Sequence, residues 1–174
     1  WTGAAALRPS LRAQERVRLE TWDDRHHEEA AHLIADCYQD HIDAQINDQY
    51  RSVAGARKFL HNITQYPGCG TFYKPGSHLA FDRAGGDLAG LSLASLVRHD
   101  VGHITQICVG QRWRGLGVGY ELLRTSLCDL RAVRCRKVTL TVTAANREAL
   151  DLYERMGFTN VRNFCAYVWE GFRR

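Results

Sequence analysis

No apolar run in this chain approaches the length of a membrane span, and the stretch at residues 4–7 falls short of the apolar centre of a secretory signal. No membrane partner is therefore expected, and the cytoplasm is the expected location. The chain opens on Trp1 and not on Met, as a processed or trimmed form would. No two of the six cysteines (Cys37, Cys69, Cys108, Cys128, Cys135, Cys165) stand in a CxxC arrangement, and their spacings resemble no structural zinc module, so no metal site is expected. Their even number keeps a disulfide framework open. Cys108 and Cys128, however, fall among apolar neighbours, as reduced buried thiols do. Internal repeats, low-complexity stretches and long linkers are also missing, which leaves one folded unit.

What is present is the composition of a soluble globular domain, 45% hydrophobic and 24% charged over 174 residues. Residues 1–13 read as a tail without periodicity, and residues 14–174 as a single domain. The formal charge of +4 says little about partners, but its distribution says more. Arg112, Arg114, Arg124, Arg131, Arg134, Arg136 and Lys137 crowd one segment, while Asp36, Asp40, Asp43 and Asp48 crowd another. Two fields of opposite sign suit an anionic cofactor and a cationic substrate; ordinary solvated surface accounts for the same residues.

Periodicity predicts a strand over residues 16–21 and a helix introduced by Asp23 and Asp24, with Ala30, Leu33, Ile34 and Cys37 as its apolar stripe. A polar stretch over 39–49 precedes a second helix over 51–63, closed by Pro67-Gly68. Residues 78–81 and 88–96 read as a hairpin around the 82–87 turn, followed by a strand over 103–109 with Ile104, Ile107 and Val109. Tyr120, Leu123, Leu127 and Leu130 mark an amphipathic helix. Val138, Leu140 and Val142 alternate with Thr139, Thr141 and Thr143 in a strand. A helix over 146–156 and a closing strand over 164–169 complete a mixed α/β domain.

Between the 103–109 strand and the helix after it lies Gln111-Arg112-Trp113-Arg114-Gly115-Leu116-Gly117-Val118-Gly119. Alternate glycines there let backbone approach a ligand closely. The helix start adds unpaired N–H groups and partial positive charge, a setting for a diphosphate. Neither the Gly-x-Gly-x-x-Gly dinucleotide spacing nor a P-loop ending is present. Glycines packed into a tight connection explain the same pattern. Further on, Asn146 can cap its helix, and Tyr153, seven residues later, projects from a similar face; capping and core packing account for both without chemistry.

These segments resemble the Gcn5-related N-acetyltransferase (GNAT) superfamily. Arg114-Gly115-Leu116-Gly117-Val118-Gly119 fits its Arg/Gln-x-x-Gly-x-Gly/Ala signature. Residues 146–158 are similar to its Asn-x-x-Ala-x-x-Leu-Tyr-x-x-x-Gly-Phe segment. The likeness is strongest over residues 103–158. One departure is Gln111 after Gly110, where the family often has proline. The resemblance implies a single GNAT-like domain of mixed α+β class, with a central, mostly antiparallel, splayed sheet flanked by helices. It implies acetyl-coenzyme A as acyl donor and a primary amine of a small molecule or peptide as acceptor.

By the same resemblance, backbone amides of Arg114, Gly115, Leu116, Gly117, Val118 and Gly119 would hold the diphosphate, with Arg112 and Arg114 side chains as phosphate partners. Ile107 and Val109 would lie beside the pantetheine arm, Asn146 near it, and Tyr153 would act as general acid at the sulfur. His103 takes the place of a base that some relatives carry on the preceding strand, with Asp100, His99 or a water chain as alternatives. Tyr38, Asp40, Asp43 and Tyr50, with Asp48 and residues 164–169, are the expected substrate wall; a solvent-facing connection is the competing reading. A non-catalytic acyl-coenzyme A sensor is the alternative function. No nucleic-acid partner is expected, since the arginine-rich middle lacks a stacking aromatic series. The aromatic C-terminal strand, at a sheet edge, makes a homodimer possible.

Overall fold

The computed structural model describes residues 7–167. Leu11–Arg16 forms a short helix, α1, whose cap is Ser10: the Ala13 N–H donates to Ser10 Oγ. The expectation of a tail before Gln14 is thereby corrected for residues 11–13, while residues 1–6 lie outside the described residues. Six residues are too few to show a period, but Ala13 is fully buried and Ser10 is a favoured N-cap. β1 (Val17–Thr21) follows, then a 3-10 turn capped by Asp23 and helix α2 (His27–Tyr38). The polar stretch expected at 39–49 contains a short helix, α3 (Ile42–Ile46), and the start of a 3-10 turn (Asp48–Arg51). Helix α4 (Val53–Gln65) begins two residues later than its apolar spacing suggests, because Ser52 Oγ accepts from the Gly55 N–H and sets the start.

The remaining elements are β2 (Thr71–Phe72), β3 (His78–Asp82), β4 (Leu88–Arg98), β5 (Val101–Val109), α5 (Val118–Ala132), β6 (Lys137–Leu140) and α6 (Arg147–Arg155). The sheet runs β1-β3-β4-β5-β6, and β2 joins β4 beyond the end of β3. Every pairing is antiparallel except β5 with β6. Helices cover both faces. Ala30, Ile34 and Leu60 of α2 and α4 meet Leu79, Leu91 and Leu93 on one side; Leu123, Leu127 and Leu130 of α5 meet Ala94, Ile104 and Val138 on the other. Covered on both faces, β4 is buried at every residue from Leu88 through Ser95, so it reads as a continuous run and not as an alternation.

Two features of β5 determine where the sheet opens. Leu93 pairs with Gln106 and Ala94 with Ile104, so Thr105 is an extra residue, a β-bulge, with its Oγ1 donating to the Leu93 carbonyl. The parallel ladder to β6 covers Val101 to Ile104 against Lys137 to Leu140 and ends there. β6 is thus two residues shorter than the Val/Thr alternation predicts, because alternation continues past the point where the neighbouring strand bends away. The strand expected at 164–169 is also corrected: residues 164–167 have no strand structure, and 168–169 lie outside the described residues. Phe164 and Tyr167 are exposed there, so aromatic β-propensity finds no packed surface to act on.

α5 is joined to the sheet by polar groups as well as leucines. His78 and Ser92 are cross-strand neighbours. His78 Nε2 lies 2.7 Å from Asp129 Oδ2, and the Ser92 and Ser126 hydroxyls are 2.9 Å apart. Burial lowers the His78 pKa below its ordinary value, outweighing the opposing pull of Asp129. Folded protein therefore keeps His78 neutral in a range where unfolded chain binds a proton. Stability should rise with pH up to the unfolded histidine value near 6.5 and fall below it, by at most about 1.4 kcal/mol per pH unit for this group. Burial shifts His103 the same way. Urea unfolding between pH 5 and 7.5 should show a shallower pH slope for His78→Gln than for the unaltered chain; equal slopes would exclude His78 as a source.

Candidate active site

The turn after β5 is built to leave backbone donors uncovered. Gly110 leads into a 3-10 turn (Gln111–Trp113), and Gly115 and Gly117 adopt φ of +70° and +83°. Only glycine takes these angles without penalty. Gly117 is the N-cap of α5 and brings no side chain to its first-turn N–H groups, which gather partial positive charge. A Cβ at Gly115 would meet nothing within 4 Å, so the turn borders open space. At Gly119 a Cβ would lie 3.5 Å from Val109 and 3.7 Å from Leu152, close under the strand end and α6. Leu116 is half-buried and Val118 buried, anchoring the turn from beneath. An anionic diphosphate fits this donor set and this space.

The two arginines differ. Arg112 is exposed, lies over the Trp113 ring and makes a 3.5 Å contact with Asp87, so little holds it away from an anion. Arg114 turns back: Nε donates to the Val109 carbonyl at 3.2 Å and an Nη to the Cys37 carbonyl at 3.4 Å. It staples the turn to β5 and to the end of α2. Beside it the Cys37 and Cys108 thiols share a hydrogen bond, which together with burial pushes the Cys108 thiol up and keeps it protonated. All six cysteines are free.

Where β5 and β6 part, a cavity of about 100 Å³ opens. Its wall includes Ile104, Gln106 and Ile107 of β5, Leu140 and Val142 beyond them, Asn146, Ala149 and Tyr153 of the α6 region, and Tyr38 and Asp43. Tyr38 also belongs to a second, larger cavity of about 640 Å³ with Asp36, Asp40, His41, Tyr50 and Arg51. The inner pocket therefore meets an outer one across a single aromatic ring. Tyr38 and Tyr50 stack with centroids 4.2 Å apart and planes 10° apart. Gln106, buried on β5, links them: its Nε2 donates to Tyr38 Oη at 3.2 Å and its Oε1 accepts from Tyr50 Oη at 3.5 Å.

Tyr153 is 8% exposed, and its pKa is raised to about 12 by burial first and by the Asp43 charge second. It is a hydroxyl donor throughout the neutral range. The Thr143 hydroxyl donates to the Asp43 carboxylate, joining α3 to the loop before α6 across the cavity. The same carboxylate raises Tyr50, after burial. Asn146 Oδ1 accepts from the Ala149 N–H at 3.2 Å and caps α6, so the chemistry left to its side chain is donation from Nδ2.

Tyr153, Asn146, Ile107, Tyr38 and Asp43 are thus brought together; Val109 lies at the glycine turn, and Asp40 and Tyr50 at the outer cavity. His103 is not among the lining residues. It sits in the paired part of the fork, with Nδ1 2.8 Å from the Thr139 hydroxyl. His99 and Asp100 occupy the β4–β5 turn before it, and Asp48 begins a 3-10 turn outside both cavities. Gln106, Thr143 and the bulge at Thr105 were not singled out from sequence. The one signal was spacing: Ile104, Ile107 and Val109 do not keep a period of two.

A family profile described as "Acetyltransferase (GNAT) family" matches residues 40–158. A 71-residue stretch, 40% of this chain, is 34% identical to an N-alpha-acetyltransferase of Sulfurisphaera tokodaii and covers 42% of that protein. A 55-residue stretch, 32% of the chain, is 42% identical to the mycothiol acetyltransferase of Corynebacterium glutamicum and covers 19% of it. The chain spans less than half the length of the curated relatives it matches. Among solved structures, the ribosomal-protein-S18-alanine N-acetyltransferase of Escherichia coli superposes with a TM-score of 0.65 at 17% identity, over 84% of this chain and 79% of that one.

The geometry of the turn separates its glycines. Gly115→Ala meets open space and should cost about 1–2 kcal/mol for its φ alone. At Gly117 a Cβ would also fall 2.7 Å from Ser10 Oγ, so Gly117→Ala should be the more destabilising in chemical denaturation. Equal losses would show that the Ser10 contact is not maintained in solution.

Proposed function

This chain belongs to the acetyltransferase (GNAT) family, and from that premise we propose that it moves an acetyl group from acetyl-coenzyme A to the α-amine of a peptide N-terminus. The observation that carries the reading is the cavity at the β5–β6 fork, which holds a protonated tyrosine and a carboxylate beside the strand that leads into a glycine-lined helix start with no side-chain cap. Acetyl-coenzyme A supplies an acetyl group activated as a thioester. The residues present fit it: the glycine turn for its phosphates and the flank of β5 for its arm.

Each side chain then has a task its surroundings permit. Tyr153, kept protonated by burial, donates to the sulfur side of the reacting bond and eases departure of the thiol. Asp43 faces the tyrosine cluster and attracts an incoming ammonium group. Gln106 holds the Tyr38 and Tyr50 hydroxyls at the passage between the two cavities.

The choice of acceptor turns on which amine must lose a proton. An α-amine, with a pKa near 7.7–8.0, is neutral in roughly one molecule in ten at pH 7, whereas a lysine amine near 10.4 is neutral in fewer than about one in a thousand. Among the described residues no histidine lines the inner cavity, so an acceptor that reaches it already partly neutral suits it best. Similarity to N-alpha-acetyltransferases supports the same choice. A small-molecule amine is the second reading, favoured by the stretch 42% identical to a mycothiol acetyltransferase.

The test is thiol release from acetyl-coenzyme A in the presence of peptides with free or blocked N-termini, lysine peptides and small amines. Release that needs a free N-terminus is expected; release only with small amines would overturn the acceptor, and binding without release would make the chain a sensor. Tyr153→Phe should lower kcat by roughly a hundredfold with a smaller change in KM for acetyl-coenzyme A. Asp43→Asn should raise KM for the peptide. Unaltered turnover in the first variant would remove Tyr153 from its role.

A further inference from the structure

Glu121, on the first turns of α5, is 2% exposed, and a carboxylate is seldom buried so deeply without a reason. Each of its oxygens meets two donors. Oε1 accepts from Gln14 Nε2 at 3.0 Å and from an Arg124 Nη at 2.8 Å; Oε2 accepts from the Ser10 N–H at 2.9 Å and from Arg124 Nε at 3.0 Å. Burial alone would raise its pKa, but these hydrogen bonds outweigh burial and hold the carboxyl below its ordinary value. Two of the four donors come from the segment before β1. A third tie fastens the same segment, since the Tyr120 hydroxyl donates to the Arg8 carbonyl at 2.8 Å.

The position of this clamp is what gives it meaning. Ser10 is the cap of α1, and its Oγ is the atom that a Cβ on Gly117 would strike. Gly117 is the cap of α5 and the centre of the glycine turn. The segment therefore lies against the back of the turn that the proposed function assigns to the diphosphate. Charge matters as well. An unpaired carboxylate four residues into α5 would repel a dianion at the helix start, whereas the Arg124 fork neutralises it and two uncharged donors complete its shell.

We propose that Glu121 is a positioning residue for the cofactor: it binds residues 8–14 against α5 and so holds the Gly115–Gly117 turn in its anion-accepting conformation. This inference rests on the reading of that turn as the coenzyme A site. It makes the segment before β1 part of the cofactor site without any contact to the reacting atoms.

The test uses the full chain. Calorimetric titration with coenzyme A should show affinity reduced about tenfold in Glu121→Gln, equivalent to about 1.4 kcal/mol, and reduced less in Gln14→Leu. The second variant removes a neutral donor at an exposed residue and is the safeguard if the first folds poorly. The preference for acetyl-coenzyme A over S-acetylpantetheine, which lacks the diphosphate, should fall by the same factor when read as a ratio of kcat/KM values. A general loss of fold would lower both donors and leave that ratio in place, and such a result would overturn the positioning role. Unchanged coenzyme A affinity in both variants would overturn it too. Failure of the unaltered chain to bind coenzyme A would be a different outcome, removing the proposed function and this role together.

Discussion

Two parallel strands that pair for four residues and then part are the constraint on which the rest of this molecule depends. While β5 and β6 are in register their backbone groups satisfy each other. Beyond Ile104 and Leu140 they no longer do, and the gap has to be lined by side chains or by a guest. The chain lines it from several directions at once: α6 brings Tyr153 and Asn146, the α2 end brings Tyr38, and α3 brings Asp43. A cavity assembled from this many elements holds its shape only if each element is fixed from behind, which is what the leucines of α5 and the apolar stripes of α2 and α4 accomplish.

Polar groups are buried in this fold chiefly where α5 is joined to something else. His78 with Asp129, Ser92 with Ser126, and Glu121 with Arg124, Ser10 and Gln14 all involve that helix. Leucines alone would let α5 slide or rotate over the sheet at small cost, since apolar contact is not directional. Hydrogen bonds with fixed partners remove that freedom. The consequence is felt at the N-terminal end of the helix, where main-chain donors must point in a set direction to bind an anion.

Legibility in the sequence followed the strength of local signals. The β3–β4 hairpin, the glycine turn, α5 and the Asn146 cap rest on turn chemistry, spacing and capping within a few residues, and each was readable. Membership of the family was readable from the same segments. The helix at Leu11–Arg16 was not, because its local signals are a single cap and one buried alanine, and the carboxylate that ties it down, Glu121, lies more than a hundred residues away. Arg114 shows the limit of motif reading within a well-matched segment: the residue is where the signature places it, but its guanidinium is spent on two carbonyls. His103 illustrates the same limit for position along a strand, since counting from Val109 cannot show which part of the fork a residue occupies once a bulge intervenes.

That bulge has a consequence for how this strand can change over evolutionary time. Because Thr105 is supernumerary, Ile104 and Ile107 both face the α5 layer, while Gln106 and Cys108 face α2. Exchanging one side chain for another alters a single contact. Losing a residue anywhere but at the bulge would instead turn a whole half of the strand over, sending either the amide that bridges two tyrosines or an isoleucine of the opposite layer to the wrong side. The segment is thus open to gradual drift in composition and closed to a change in its length anywhere but at Thr105.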